Sequence, residues 1–176
     1  MSADANALPT PVRLHRRAVS ALFFCQGFAF AALITRIPAI QESFGLSEAQ
    51  LAGLLALIPI IAGVGSVISG NLAVRFRSSV VLRICGVGVS LSVVVVGAAT
   101  DLASWPLLLV GLLLVGFGLG SVDATMNMQG IGVQALAHRP IMASFHAWWS
   151  LATILGAVAA SIAAATSLSL FGFMVI

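Results

Sequence analysis

Long apolar stretches, separated by short polar or basic connections, dominate the chain. A helix needs about 20 mostly apolar residues to cross the hydrocarbon core of a bilayer, and five stretches reach that length. A sixth begins near the end of the sequence and is incomplete. After a polar tail at residues 1–16, the pattern therefore predicts membrane-spanning helices at about 17–38, 48–73, 80–100, 106–133 and 144–165, and the start of another at 168–176.

The connections carry signals that start and stop helices. Ser47, followed by Gln50 three residues later, is a capping-box pattern for the second helix. The basic segment 75–79 ends that helix, and Pro106 suits the first turn of the fourth. The segment 138–140, His-Arg-Pro, breaks the chain before the fifth helix.

The composition excludes a water-soluble fold. Hydrophobic residues make up 60% of the chain and charged residues 7%, and the mean hydropathy is +1.14. A soluble domain carries about 25% charged residues, so a lipid bilayer must solvate most of this surface. The net charge of +3 comes from scattered arginines without a basic aromatic patch, which argues against nucleic-acid binding. We therefore expect an all-α membrane protein.

The arginines set the expected orientation, because basic residues accumulate in cytoplasmic loops. With the N-terminus in the cytoplasm, Arg36 lies near the outer face. Its side chain is expected to reach the outer headgroups, with guarding of an outer vestibule as the alternative. The other seven of the eight arginines then lie inside: Arg13, Arg16, Arg17, Arg75, Arg77, Arg83 and Arg139.

Small residues at helical spacing predict close contacts between helices. Gly116 and Gly120 form a G-x-x-x-G pair in the fourth helix, and Gly63, Ser66 and Gly70 form a stripe in the second. Such residues let backbones approach closely where lipid gives no hydrophobic drive for association. The pattern indicates a bundle of several spanning helices.

Asp123 is the candidate for chemistry within the bilayer, because it lies in the fourth apolar segment, toward its cytoplasmic end. In helical steps it shares a face with Asn127, Gly130 and Gln134, and this polar stripe is expected to line an aqueous path. A desolvated carboxylate there can bind and release a proton near neutral pH. The alternatives are an Asp held by hydrogen bonds between helices, or one wetted by the interface.

Two further polar residues lie in predicted spans. Gln26, midway along the first helix, can contact a solute or hydrogen-bond a neighbouring helix. His146 opens the fifth helix beside Trp148 and Trp149, which suit the membrane interface. If His146 lies near Asp123, it can join a proton relay.

Enzyme signatures are missing from the sequence. It contains no H-E-x-x-H, P-loop or G-x-S-x-G motif, and an intramembrane aspartyl protease would need a second aspartate within a span. We expect a protein that is not an enzyme and needs neither a metal nor another cofactor.

Three stretches resemble the major facilitator superfamily: residues 36–51, residues 70–77, and residues 116–129 with 139–151. The second is similar to the family's loop motif G-x-L-a-D-R-[FY]-G-[RK]-[RK] and would supply the gating loop through Gly70, Arg75 and Arg77. Val74 replaces the motif's Asp, and Arg77 replaces its second Gly. The family's Asp takes part in the cytoplasmic gate, so its loss implies altered gating.

The third stretch is similar to a subgroup of bacterial inner-membrane transporters and, more weakly, to fucose:proton symporters. The resemblance implies secondary active transport with a proton gradient as the driving force, and its fucose:proton symporter part implies Asp123 as the coupling carboxylate. It does not imply a solute. We expect a small solute such as a sugar or related polar metabolite. The resemblance also implies the N-terminal six-helix half of the fold, with helices 1 and 4 lining the cavity. A complete path would then need a C-terminal half or a second copy.

Two other interpretations stay open at this point. One is a truncated or non-transporting helix bundle that needs a partner chain. The other is a small dimeric multidrug exporter, although such proteins carry a glutamate in their first helix, which this chain lacks. An Asp123→Asn variant separates transport from the first alternative.

Overall fold

The computed structural model describes residues 9–166 and 168–175 and shows a helical bundle, with no strand among those residues. Five segments are long and apolar enough to cross a membrane, and the first of them joins two consecutive helices, α1 and α2. The expected all-α fold with five spans is thus confirmed. The helices are α1 Thr10–Thr35, α2 Ile37–Phe44, α3 Glu48–Arg75, α4 Ser78–Asp101, α5 Trp105–Ala137, α6 Met142–Ala165 and α7 Leu170–Val175.

The first span is longer at both ends than the hydropathy pattern predicts. α1 begins at Thr10, so residues 10–16 of the expected tail are helical, while residues 1–8 lie outside the described residues. At the other end α2 continues to Phe44, where Gly45 adopts a left-handed φ of 58°. The segment 39–47, which the sequence pattern leaves between the first two helices, is therefore mostly helical. Pro38 does not stop the helix because it lies in the first turn of α2.

The helix signals in the connections are confirmed. The backbone N–H of Gln50 donates to Ser47 Oγ over 3.3 Å, and the Ser47 N–H donates to Gln50 Oε1 over 2.9 Å. This reciprocal pair is the capping box that begins α3. Pro106 lies in the first turn of α5. The expected sixth helix is present as α7, and residues 167 and 176 lie outside the described residues.

α5 is the central and longest helix, with 33 residues, or about 50 Å at 1.5 Å per residue. α3 packs on one side of it and α4 on another, while α6 pairs with α1 and α7 packs on α4. The helix runs past the predicted end at Val133 to Ala137, and His138 ends it with a φ of 50°. Asp123 thus lies about 27 Å from the start of α5, close to its middle.

Successive long helices run antiparallel, so the bundle has two ends. We call one the arginine-rich end: it holds the start of α1, the α3–α4 and α5–α6 connections, and Arg13, Arg16, Arg17, Arg75, Arg77, Arg83 and Arg139. Buried apolar side chains form one cluster toward each end. Phe23, Met126 and Phe145 belong to the cluster near the arginine-rich end, and Val96, Leu108 and Val115 belong to the other.

Glycines set the closest helix contacts. A Cβ on Gly120 would lie 1.8 Å from the Ala62 carbonyl oxygen, and one on Gly116 would lie 2.9 Å from that of Ile58. The G-x-x-x-G pair of α5 is therefore confirmed as the contact with α3. In the same way, a Cβ on Gly27 would lie 2.4 Å from the Trp149 carbonyl oxygen, which brings the α1 and α6 backbones together.

The expected small-residue stripe of α3 does not contact another helix closely among the described residues. A Cβ on Gly63 or Gly70 would meet no described heavy atom within 4 Å. The face in contact with α5 is instead marked by Gly65, where a Cβ would lie 2.2 Å from the Phe117 carbonyl oxygen. Ser121 Oγ also donates to the Gly65 carbonyl over 3.1 Å. α3 has small residues on two faces, and spacing alone could not tell which of them packs.

Arg36 does not reach the headgroups, so that expectation is wrong. Its side chain is 7% exposed, and Nη2 donates to the Leu168 carbonyl over 2.7 Å. Arg36 therefore fastens the junction of α1 and α2 to the connection before α7. The Arg36 guanidinium can donate to the Leu168 carbonyl because the α6–α7 connection packs against the α1–α2 junction.

Candidate functional site

Five helices, α1, α2, α3, α5 and α6, border a cavity of about 680 Å³ that is open on one side. It lies at mid-height in the bundle, because its lining includes residues near the middle of α1, α3 and α5. Most of its wall is apolar. The lining residues are Phe23, Gln26, Phe30, Ile34, Ile37, Leu55, Ile58, Pro59, Ala62, Gly63, Ser66, Leu119, Gly120, Asp123, Met126, His146 and Trp149.

Asp123 borders this cavity with an exposed side chain. The neighbouring residues Val122 and Met126 are buried in the bundle, so the turn of α5 directs the carboxylate away from the packed face. Asn127 Nδ2 donates to Asp123 Oδ1 over 3.2 Å and to the Asp123 carbonyl over 2.9 Å. One side-chain amide thus orients the carboxylate without neutralising it.

Gln26 faces the same cavity from α1 and is tied to α6, because Trp149 Nε1 donates a hydrogen bond to Gln26 Oε1. The hydrogen bond to a neighbouring helix is therefore present, while contact of Gln26 with a solute stays a prediction. The Gln26 carbonyl joins two helices, and its amide nitrogen belongs to a side chain that lines the cavity. The contact at Gly27 explains how α1 comes close enough to α6 for this bond.

His146 also borders the cavity, with an exposed side chain. Its ring makes an edge contact with Phe23, with 5.2 Å between ring centroids. The structure brings His146 and Asp123 to one cavity, as the relay hypothesis requires. Among the described side chains, however, no hydrogen bond joins the two. Trp148 lies outside the cavity against Phe24, with 6.4 Å between centroids.

The expected polar stripe of α5 reaches the cavity at Asp123 and not beyond. Gln134 Oε1 accepts the backbone N–H groups of Ile141 and Met142 over 2.9 and 3.1 Å, so this side chain caps the start of α6. Gly130 is buried, and a Cβ there would lie 2.8 Å from Met142 Sδ. Helical spacing places these residues on one face of α5, but the start of α6 covers that face at Gly130 and Gln134.

The expected gating loop lies at the arginine-rich end. Arg75 ends α3, and Arg77 precedes α4 with a positive φ of 32°. Both arginines are exposed, and neither forms an ion pair within the described residues. Gly70 lies beside open space. Nearby, Gln129 Nε2 donates to Ser78 Oγ over 2.6 Å and joins α5 to the start of α4.

Sequence analysis missed the aromatic part of the wall. Phe23, Gln26 and Phe30 follow each other at helical spacing and border the cavity together. Phe30 and Trp149 have ring centroids 5.8 Å apart. The spacing of these residues around Gln26 was the available signal. Within the described residues, no group of three or more His, Cys, Asp or Glu side chains could hold a metal ion.

Comparison with known proteins identifies the family. The model of the Major Facilitator Superfamily matches residues 4–157. The chain belongs to this superfamily. It is 32% identical to an uncharacterized transporter of Sinorhizobium fredii over 147 residues. This aligned region covers 84% of this chain and 38% of the relative. The chain is 27% identical over 135 residues to an uncharacterized MFS-type transporter of Yersinia pestis, which covers 77% of this chain and 34% of the relative.

Membership of the superfamily confirms the coarse resemblance and the multi-pass membrane fold. The match spans little more than a third of each curated relative's length. No solved structure matches the chain.

Proposed function

We propose that the protein is a secondary active transporter that couples movement of a small solute to protons, with Asp123 as the proton-binding group. The observation that carries this proposal is the exposed carboxylate of Asp123 in a cavity between membrane-spanning helices. An ionised carboxylate at this depth costs about 2.5–3.5 kcal/mol on insertion scales. Taking up a proton removes that charge, so solute movement and proton movement can be linked at one site.

The neighbours of Asp123 support this role. Asn127 donates to its carboxylate and orients it at the cavity wall. His146 borders the same cavity and is a second group able to carry a proton. Gln26 has its carbonyl bonded to Trp149, so its Nε2 is available to a solute. The resemblance to fucose:proton symporters favours symport of a polar metabolite such as a sugar.

The proposed setting is a bacterial inner membrane with the N-terminus in the cytoplasm. The arginine-rich end, with seven of the eight arginines, would then face the cytoplasm. Gly70, Arg75 and Arg77 would belong to the cytoplasmic gate. Because Val74 replaces the family's acidic residue, the exposed Arg75 and Arg77 would pair with carboxylates outside this segment.

We further propose that another set of helices closes the cavity. The wall described here is open on one side, and in this family the solute site lies between two six-helix halves. A C-terminal half of the same polypeptide or a second copy of the chain would supply the rest. A native product near 18.0 kDa would favour a second copy, and one of roughly twice that mass would favour a C-terminal half. If neither supplies it, the non-transporting bundle is the better interpretation.

The test uses the native gene product reconstituted into liposomes, with sugars, polyols and amines as candidate solutes. We expect a pH gradient to drive uptake of a solute in the wild type. Asp123→Asn should abolish that uptake but keep solute counterflow, because exchange of bound solute needs no net proton movement. Asn is nearly isosteric and can keep a hydrogen bond to Asn127.

The matched control is Glu48→Gln, which removes a carboxylate from the first turn of α3, away from the cavity. This variant should retain uptake driven by the pH gradient. Persistence of such uptake in Asp123→Asn would reject Asp123 as the coupling group. Absence of any pH-driven movement in the wild type would favour the non-transporting bundle.

A further inference from the structure

The cavity wall carries one acidic group and no permanent cation. Asp123 from α5 and His146 from α6 are its ionisable side chains, and α1, α2 and α3 contribute none among the described residues. No arginine occurs in the described lining. Within the described lining, an ionised Asp123 therefore faces the cavity without a permanent counter-charge, at a depth where a lone charge is unfavourable. The wall is suited to a proton or to a cationic group of a ligand.

The surface beside this carboxylate is aromatic and apolar. Phe23, Phe30 and Trp149 border the cavity from α1 and α6. The Phe30 and Trp149 rings are tilted by 36° with centroids 5.8 Å apart. Aromatic faces attract cations, most strongly away from water. A cation with a hydrocarbon body would therefore contact both the rings and the carboxylate.

The hydrogen-bonding capacity of the wall is low. Of the polar lining residues, Gln26 already uses its carbonyl to accept from Trp149, and Ser66 contributes one hydroxyl. A sugar presents several hydroxyl groups, and each must find a partner when it leaves water. An organic cation needs a single charged partner and apolar contact. On this criterion the described wall favours the cation over the sugar.

We propose that the cavity binds an organic monocation with an aromatic or aliphatic body, and that the cation and a proton compete for Asp123. This inference rests on the proposed function for the cavity and for Asp123 as the proton-binding group. It changes the solute from a sugar to a cation and the coupling from symport to exchange. Since one carboxylate cannot hold both charges, loading of the cation displaces the proton. Coupling through this site would then be exchange of a cation for a proton.

The test measures binding to the purified native gene product, with Trp149 as fluorescent reporter after Trp105, Trp148 and any further tryptophan of that product are replaced by Phe. Neither Trp105 nor Trp148 borders the cavity. The probe is benzyltrimethylammonium, and its neutral isostere neopentylbenzene is the matched ligand. We expect the cation to bind more tightly than the isostere, and its binding to weaken as the pH falls.

Two variants separate charge from aromatic contact. Asp123→Asn should weaken binding of the cation by roughly tenfold or more and remove its pH dependence. Phe30→Leu keeps an apolar side chain and should weaken binding of the cation by about three- to tenfold. The same change should affect the neutral isostere little. A fluorescence readout with an intact, monodisperse protein shows that each variant is folded.

Equal affinity for the cation and its neutral isostere would overturn the inference, and so would unchanged binding in Asp123→Asn. If pH-driven uptake of a sugar requires Asp123 while the cation does not bind, the proposed function stands and this inference fails. If the cation binds in competition with protons but no solute follows a pH gradient, the inference stands and the proposed function fails.

Discussion

Arg77 occupies the position where the family's loop motif has its second glycine, and the backbone there still has a geometry that suits glycine. Its φ is 32° and its ψ is 119°. A side chain at positive φ brings its Cβ close to the backbone, at a cost of roughly 1–2 kcal/mol. The side chain is exposed, so no burial offsets this cost within the described residues.

We therefore expect Arg77→Gly to stabilise the protein by about 1 kcal/mol, measured as a higher midpoint of thermal unfolding in detergent. Arg75→Gly is the matched control, because it removes the same charge two residues earlier at the end of α3. Glycine in that helical turn should reduce the free energy of unfolding by about 1 kcal/mol and so lower the midpoint. Equal shifts in both variants would mean that charge, and not backbone geometry, decides the result.

The sequence predicted single residues well where their chemistry is unusual for their setting. Asp123 was identified because a carboxylate in an apolar span is unfavourable, and the structure places it at the cavity. Gln134 was misplaced because helical spacing shows which residues share a face but not what covers that face. Arg36 was misplaced for a similar reason, since its acceptor, the Leu168 carbonyl, is distant in sequence.

At the scale of helices, close backbone contact explains why α5 carries glycine at particular positions. A Cβ on Gly120 would overlap the carbonyl oxygen of Ala62, whereas one on Gly132 would meet no described heavy atom within 4 Å. Both residues lie within the same helix, so their intrinsic helix propensities are equal. Any difference between their alanine variants must come from the contact with α3.

Gly120→Ala should therefore destabilise the bundle by about 1–3 kcal/mol, as overpacked contacts do. Gly132→Ala should stabilise it by about 0.5–1 kcal/mol, because alanine favours the helix. Both are measured by thermal unfolding of the purified protein in detergent. A loss of stability in Gly132→Ala equal to that in Gly120→Ala would show that the α3–α5 contact is not the cause.

The sequence predicted the existence of every long helix but not its exact length. Hydropathy marks the part of a helix that suits the bilayer, while the backbone can stay helical into more polar segments. α1 begins seven residues early at Thr10, and α5 continues to Ala137. The capping box at Ser47 gave a correct start for α3 because it reports a specific pair of hydrogen bonds.

For the whole molecule, polar features are divided between the two ends and the middle. The arginine-rich end holds most of the positive charge, the cavity lies at mid-height with Asp123, and the opposite end carries Glu42 and Asp101. This division separates two roles. Charges at the ends suit the two bilayer surfaces, and a carboxylate in the middle is what the proposed role of Asp123 requires.

The division of charge predicts a definite orientation, which cysteine labelling can measure. In a background in which Cys25, Cys85 and any further cysteine of the native product are replaced, Ser43→Cys marks the end opposite the arginines, and Pro140→Cys marks the arginine-rich end. Both positions are exposed. Because arginine-rich connections stay in the cytoplasm, a membrane-impermeant maleimide should label Ser43→Cys in intact spheroplasts. Pro140→Cys should react with the maleimide only after the spheroplasts are permeabilised. The reverse pattern would place Arg75 and Arg77 outside and remove the basis for a cytoplasmic gate.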